Sequence, residues 1–256
     1  MNKKKYSVVS AIKHILAQIG LGIYRERRKK IVWQNSPSKK THQRIFTNAT
    51  YSPWIDNKNF QKIYSIVKDH TLLDKFRLYE LFELVKQTND VEGDILEIGV
   101  YKGGSGILLA KASVNLKKTV YLLDTFEGVV KAGGKDTKYQ GGEHFDTSVE
   151  QIQRLIKKYK IKNTKIFKGV FPDDFTDSVD KVSFVHCDVD VYKSCRDIIE
   201  YLLPKLSVGS IIVFDDYGFD GCEGVTSYCE ELRENNNFHF VYNLNGHGIF
   251  IKYKCD

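Results

Sequence analysis

From Asp94 onward the chain alternates short apolar runs with helical patterns, and this alternation restricts its fold more than any other feature. The runs are Ile95–Ile98, Thr119–Leu123, Thr164–Phe167, Val182–Cys187 and Ser210–Phe214. Helical spacing occupies Gly103–Val114, Val149–Tyr159, Tyr192–Leu203 and Gly221–Asn235 between or after them. Two further strand patterns, Phe238–Tyr242 and Gly248–Tyr253, close the chain. Strands joined by crossover helices form a mainly parallel sheet with helices on both faces. The unbroken Ile211-Ile212-Val213-Phe214 run suits a strand buried on both sides. Ligands bind such sheets at the carboxyl ends of the strands. Chemistry is therefore expected just after Ile98, Leu123, Cys187 and Phe214. No internal repeat competes with this reading.

Two helices are predicted upstream, within residues 57–88. Ile63, Ile66 and Val67 mark one apolar face, and Leu72, Leu73, Phe76, Tyr79, Leu81, Phe82 and Val85 the next. Thr71 followed by Asp74 resembles a cap for the second helix. At 256 residues the chain can build one sizeable core with an appendage. The expected division is a basic arm at 1–45, a helical cap at 46–90 and the main domain at 91–256.

Charge sets the arm apart. Residues 1–50 hold 12 Lys/Arg against one acid, Glu26, whereas the other 206 residues hold 27 bases and 31 acids. Val8, Ile12, Ile15, Ile19 and Ile23 follow helical spacing, flanked by Lys3–Lys5 and Arg25–Lys30. Such a basic amphipathic helix either lies on a membrane surface through residues 1–30 or packs on the body or a second subunit. Gln34–Thr41 reads as a linker. No uninterrupted run of 18 apolar residues suggests a membrane span, and no small-residue cleavage site marks a signal peptide. Five cysteines without a C-x-x-C pair point to a reducing, cytoplasmic setting. The acidic body and the lack of a recognised motif count against nucleic acid as a partner.

The strand ends carry the chemistry-bearing residues. Glu97-Ile98-Gly99-Val100-Tyr101-Lys102-Gly103-Gly104-Ser105 turns a strand into a helix through glycines. Such a turn brings backbone close to a ligand at a helix N-terminus, although its spacing is not that of a dinucleotide fingerprint. Asp124 ends the second strand, where an acid can accept the hydroxyls of a ribose. Asp188 and Asp190 follow one late strand, and Asp215 and Asp216 follow the next. Carboxylates crowded this way repel one another unless a cation sits among them, and an all-oxygen set suits Mg²⁺ or another hard divalent cation. The plain alternative for any one of these acids is a helix cap. His186 should alternate away from the acids into the core, His247 is a weaker acceptor-side candidate, and Trp33 and Trp54 read as packing residues.

These elements together resemble a family. The motifs are GDILEIGVYKGGS from Gly93 to Ser105, DTFEG from Asp124 to Gly128, and FDTS from Phe145 to Ser148. They continue with FKGVFPD from Phe167 to Asp173, DVDVYKS from Asp188 to Ser194, and LPKLSVGSIIVFDDYG from Leu203 to Gly218. In this order they resemble a class I S-adenosylmethionine-dependent methyltransferase of the macrocin O-methyltransferase type, which methylates sugar hydroxyls. The resemblance implies an α/β, Rossmann-like class I methyltransferase fold with a mainly parallel seven-stranded sheet. It also implies S-adenosylmethionine as cofactor, a sugar, nucleotide-sugar or glycan acceptor, and a homo-oligomer.

By the same resemblance Glu97, Gly99, Tyr101, Gly103, Gly104 and Ser105 surround the methionine end of the donor, with Asp188 close by. Asp124 holds the ribose, and Val170 flanks the adenine. Asp188, Asp215 and Asp216 align with metal ligands and Asp190 with the general base, although Asp188 and Asp190 could exchange roles. The glycine-rich segment Glu127–Asp146 is expected to close over the acceptor, with His144 a candidate contact or proton carrier. Cys222-Glu223-Gly224-Val225 departs from the more basic segment expected there, which bears on the acceptor. Lys193 is the first lysine after Asp188, later than catechol-type relatives place theirs, so a phenolic acceptor is the weaker alternative.

Overall fold

The computed structural model describes residues 32–33, 42–43 and 49–254. The predicted Val8–Tyr24 helix and the 34–41 linker lie outside these residues. Backbone pairing of Val32 with Gln43 and Trp33 with His42 is antiparallel.

The main unit has helices α1 (Lys58–Val67) and α2 (Lys75–Lys86), then β1 (Asp94–Ile98), α3 (Gly104–Ala112), β2 (Val120–Asp124), α4 (Val149–Lys158) and β3 (Thr164–Lys168). It continues with β4 (Val182–Cys187), α5 (Tyr192–Leu202), β5 (Leu206–Phe214), α6 (Glu223–Leu232), β6 (Phe238–Tyr242) and β7 (Gly248–Lys252). The seven strands lie in the order β3-β2-β1-β4-β5-β7-β6. Strands β1 to β5 are parallel, and β7 and β6 add antiparallel. This is the mainly parallel sheet expected from the alternation, in the Rossmann-like class I methyltransferase arrangement that the family resemblance implies.

Strand side chains alternate between two cores. Ile95, Leu122, Phe184 and Val213 face one core with α1 to α4, whereas Leu96, Leu123, Val185 and Phe214 face the other with α5 and α6. In α5 the buried residues Cys195, Ile198, Ile199 and Leu202 follow i, i+3, i+4, i+7. Helix α3 is buried from Gly104 through Ala110 because the sheet covers one side and α1 and α2 the other. Each fully buried Leu or Phe there contributes roughly 1.5–3 kcal/mol. Trp54 packs edge-on against Phe76 and Tyr79, at 4.9 and 6.0 Å between ring centroids.

Two local expectations differ. Asp74, not the Thr71–Asp74 pair, caps α2: its Oδ1 accepts the Phe76 and Arg77 amides. Thr71 caps nothing but accepts the Leu73 amide. Strand β5 starts at Leu206 rather than Ser210, with a register shift against β4 between Val182 and Phe184. Ser207-Val208-Gly209 breaks the apolar run, so the first half of this strand has no hydrophobic signature.

Candidate active site

The parallel register sets Ile98 beside Leu123 and Cys187, and Cys187 beside Phe214. The four strand ends are flush, so the segments that follow them meet around one cavity of about 280 Å³. Gly99, Tyr101, Ser105, Asp124, Val170, Asp188, Asp190, Asp215 and Asp216 all line it, as does His144.

The glycine turn is shaped by close approach. Gly99 has φ +87°, and a Cβ there would fall 1.7 Å from the Asp188 carbonyl oxygen. Only glycine lets the ends of β1 and β4 converge this closely. The Gly104 amide donates to the His70 carbonyl at 2.8 Å, which docks the start of α3 on the α1–α2 loop. Gly103 and Gly104 shape the turn without lining the cavity. Asp124 Oδ2 accepts the amides of Val100 and Tyr101 at 2.6 and 2.9 Å, and its Oδ1 accepts that of Phe126 at 2.7 Å. The acid expected to hold a ribose thus first organises the turn; with three amides accepted, its Oδ1 keeps about one lone pair for a ligand.

Glu97, expected beside the donor, faces elsewhere. It is fully buried, and its Oε1 lies 3.0 Å from His186 Nδ1. Alternation along β1 turns it away from the cavity that follows Ile98. His186 is core, as its position in β4 predicts.

The acids converge. One carboxylate oxygen from each of Asp188, Asp215 and Asp216 lies within 4.8 Å of the others, and Asp190, Asp216 and Cys222 form a second such group. Burial raises the Asp188 carboxyl well above its ordinary range, and the charges of Asp215, Asp216 and Asp190 add to this. Burial likewise raises Asp216 to about 8, reinforced by Asp215 and Asp190. Asp215 goes the other way. Burial alone would raise it, but His247 and the charge of Arg77 hold it at about 2.

Arg77, on α2, was not legible as a site residue in the sequence. Its Nη1 donates to both oxygens of Asp215, at 2.8 and 2.6 Å. His247, predicted near the acceptor, is instead fully buried: its Nδ1 lies 2.6 Å from Glu80 Oε2 and its Nε2 lies 3.2 Å from Asp215 Oδ1. Burial disfavours a proton on His247, but Asp215 and Glu80 overrule it and raise its pKa. Asp215 is therefore already countered by protein cations, whereas Asp188 and Asp216 are not relieved by a comparable partner. The oxygen-only donors and the raised Asp188 and Asp216 carboxyls fit a hard dication, whose charge would favour their ionised forms.

Segment 127–146 walls the cavity with Gly128, Val129, Val130, Lys138, Tyr139 and His144. Lys131 ties it down, reaching Asp197 at 2.7 Å and Asp173 at 2.9 Å. Asp136 accepts the Tyr192 amide at 2.9 Å. Tyr139, another residue unmarked in the sequence, is 8% exposed, and its hydroxyl bonds to Asp190; burial and that acid both raise its pKa. His144 stacks edge-on to Tyr101, with centroids 5.9 Å apart.

The family described as Macrocin-O-methyltransferase (TylF) matches residues 15–252. An 8-demethyl-8-(2,3-dimethoxy-alpha-L-rhamnosyl)-tetracenomycin-C 4'-O-methyltransferase of Streptomyces olivaceus is 29% identical over 168 residues, 60% of this chain and 64% of that protein. A demethyldecarbamoylnovobiocin O-methyltransferase of Streptomyces niveus is 29% identical over 163 residues, 58% of this chain and 62% of its own length. The matched stretch thus spans less than two thirds of either relative. Among solved structures, the O-methyltransferase NovP superposes with a TM-score of 0.64 at 24% identity, covering 72% of this chain and 83% of that one. The calicheamicin methyltransferase CalS11 gives 0.57 at 15% identity, covering 80% and 95%. These two likenesses speak to the fold.

Proposed function

The chain belongs to the macrocin O-methyltransferase family, and from that premise we propose that it transfers a methyl group from S-adenosylmethionine to a hydroxyl of a sugar or glycan-type acceptor. The observation that carries this reading is the meeting of Asp188, Asp190, Asp215 and Asp216 beside the Gly99 turn in one cavity. The tetracenomycin relative, named for a rhamnosyl-bearing substrate, supports a sugar-type acceptor.

In this reading Gly99, Tyr101 and Ser105 border the methionine end of the donor, and Asp124 offers its remaining lone pair, on Oδ1, to the ribose. Val170 flanks the adenine. Glu97 supports the turn from below rather than touching the donor. Asp188, Asp215 and Asp216 would hold a hard dication, while Asp215 also pairs with Arg77. When bound, the ion supplies Lewis acidity that makes an alcohol more acidic, and S-adenosylmethionine supplies the methyl group. Asp190 accepts the proton of the acceptor hydroxyl, and the Tyr139 hydroxyl orients it. Segment 127–146 excludes water above these groups, and His144 lies at the acceptor side. Much of the acceleration comes from holding the reactants in line, which is worth roughly 7–11 kcal/mol in favourable cases.

A phenolic acceptor has less support, because Lys193 points away and pairs with Asp197 at 2.8 Å. We place the reaction in the cytoplasm, in keeping with the buried free thiols of Cys187, Cys195, Cys222 and Cys229. Among the described residues no helix is long and apolar enough to cross a membrane.

The test is direct. The protein is incubated with methyl-labelled donor, Mg²⁺ and a panel of nucleotide sugars, glycans and glycosylated natural products. Label should enter a sugar hydroxyl and be lost with a chelator. Transfer to no sugar overturns the acceptor class, and transfer indifferent to chelator removes the dication.

A further inference from the structure

Beneath the carboxylate cluster lies a second group of ligand atoms with a different chemistry. One ring nitrogen from each of His186 and His247 and one oxygen of Asp215 lie within 4.8 Å of one another, with His247 Nε2 3.2 Å from Asp215 Oδ1. Both imidazoles are fully buried, and Asp215 is 4% exposed. Each histidine bonds a carboxylate through its other nitrogen: His186 Nδ1 to Glu97 at 3.0 Å, and His247 Nδ1 to Glu80 at 2.6 Å. Neither Nε2 has a hydrogen-bond partner among the described residues; the 3.2 Å approach of His247 Nε2 to Asp215 is out of line for one.

This arrangement has the marks of a metal site. Metal-ligating histidines characteristically donate their free N–H to a carboxylate, which fixes the tautomer and makes the other nitrogen more basic. Here that pattern occurs twice, and both lone pairs converge on a third ligand. Charge agrees. Apart from any protons on the two imidazoles, the cation set against Glu80, Glu97 and Asp215 among the described residues is Arg77, so a double positive charge balances the layer. Protons on both imidazoles would balance it too, but one on His186 Nε2 would be a buried N–H without an acceptor, at about 1–3 kcal/mol. A dication uses the lone pairs directly.

We propose that His186, His247 and Asp215 form a second metal site, selective for a borderline transition-metal dication such as Zn²⁺, distinct from the all-oxygen site and sharing Asp215 with it. Two imidazoles and one carboxylate suit such ions far better than Mg²⁺. The ion ties β4, the end of β5 and the start of β7 together, with α2 joined through Glu80 and β1 through Glu97. Its role is structural, and it does not depend on the methyl-transfer reading.

The full-length protein, stripped by a chelator, is titrated with Co²⁺ alone, without donor or acceptor. One equivalent should give the visible ligand-field absorption of a nitrogen-bound four- or five-coordinate ion. Zn²⁺ should displace it, and millimolar Mg²⁺ should not. Asp188→Asn, which disrupts only the all-oxygen site, should keep the band. His186→Gln and His247→Gln should each abolish it, and Glu80→Gln should weaken binding about 10–100-fold. Circular dichroism confirms folding; if one histidine variant fails to fold, the other and Glu80→Gln decide. A folded wild type without the band overturns the site, and so does a band that survives the histidine substitutions.

Discussion

Arg77 grips both oxygens of Asp215 through one nitrogen, across 138 residues of sequence, and so fastens helix α2 to the end of strand β5. The guanidinium and carboxylate side chains are 9% and 4% exposed, so neither has water to fall back on. Arg77→Met should therefore destabilise the fold by about 3–5 kcal/mol, the usual effect of leaving a buried charge unpaired. Asp215→Asn added to that variant should recover part of the loss. Urea denaturation of the two variants checks this, and equal stability of Arg77→Met and wild type would refute it.

Asp216 gives the cation-free protein a pH signature. Its folded pKa of about 8 lies above its ordinary 3.8, so the folded state binds the extra proton between those values. This group's contribution is fully present below 3.8 and is lost as pH rises through about 8. Asp188 shifts in the same direction. Thermal midpoints in chelator should fall as pH rises from about 5 to about 9, and Mg²⁺ should flatten that fall. A flat profile in chelator would show that these carboxyls are not strained by their surroundings.

Gly99→Ala should damage donor binding and stability together. The residue sits at φ +87°, where a side chain costs about 1–2 kcal/mol, and the methyl would meet the Asp188 carbonyl at 1.7 Å. The ends of β1 and β4 must separate to accept it. Calorimetry with S-adenosylhomocysteine should register the loss. Gly133→Ala, where a Cβ meets nothing within 4 Å, is the control and should bind normally.

Asp190→Asn should lower kcat about 10²–10⁴-fold with donor affinity unchanged. Asp190 has φ +63°, a conformation asparagine tolerates, so the backbone should survive the exchange. Single-turnover rates at saturating donor read the effect. If Asp188→Asn shows this pattern and Asp190→Asn instead loses Mg²⁺ affinity, the two acids exchange roles.

The order of strands and helices, the glycine turn and the acids at three strand ends were all legible in the sequence. Each is a local pattern: a run, a period or a residue next to a boundary. The unmarked first half of β5 shows the limit, since Ser207-Val208-Gly209 lies within the strand without an apolar signal, between the pairings of Leu206 and Ile211 with β4. Asp124 shows another, because its place at the end of β2 was readable but its bonds to Val100 and Tyr101 were not.

What the tertiary structure alone decided is which charges meet. Arg77 with Asp215 and Glu80 with His247 are separated by 138 and 167 residues, and nothing in either neighbourhood names the other. Glu97 looks like a donor ligand by position, yet its pairing with His186 follows from the register of β1 on β4. Local periodicity and turn chemistry act within a few residues and are written in the chain. Electrostatic partnership acts through space in a low-dielectric interior, and only the folded arrangement supplies the distances that set it.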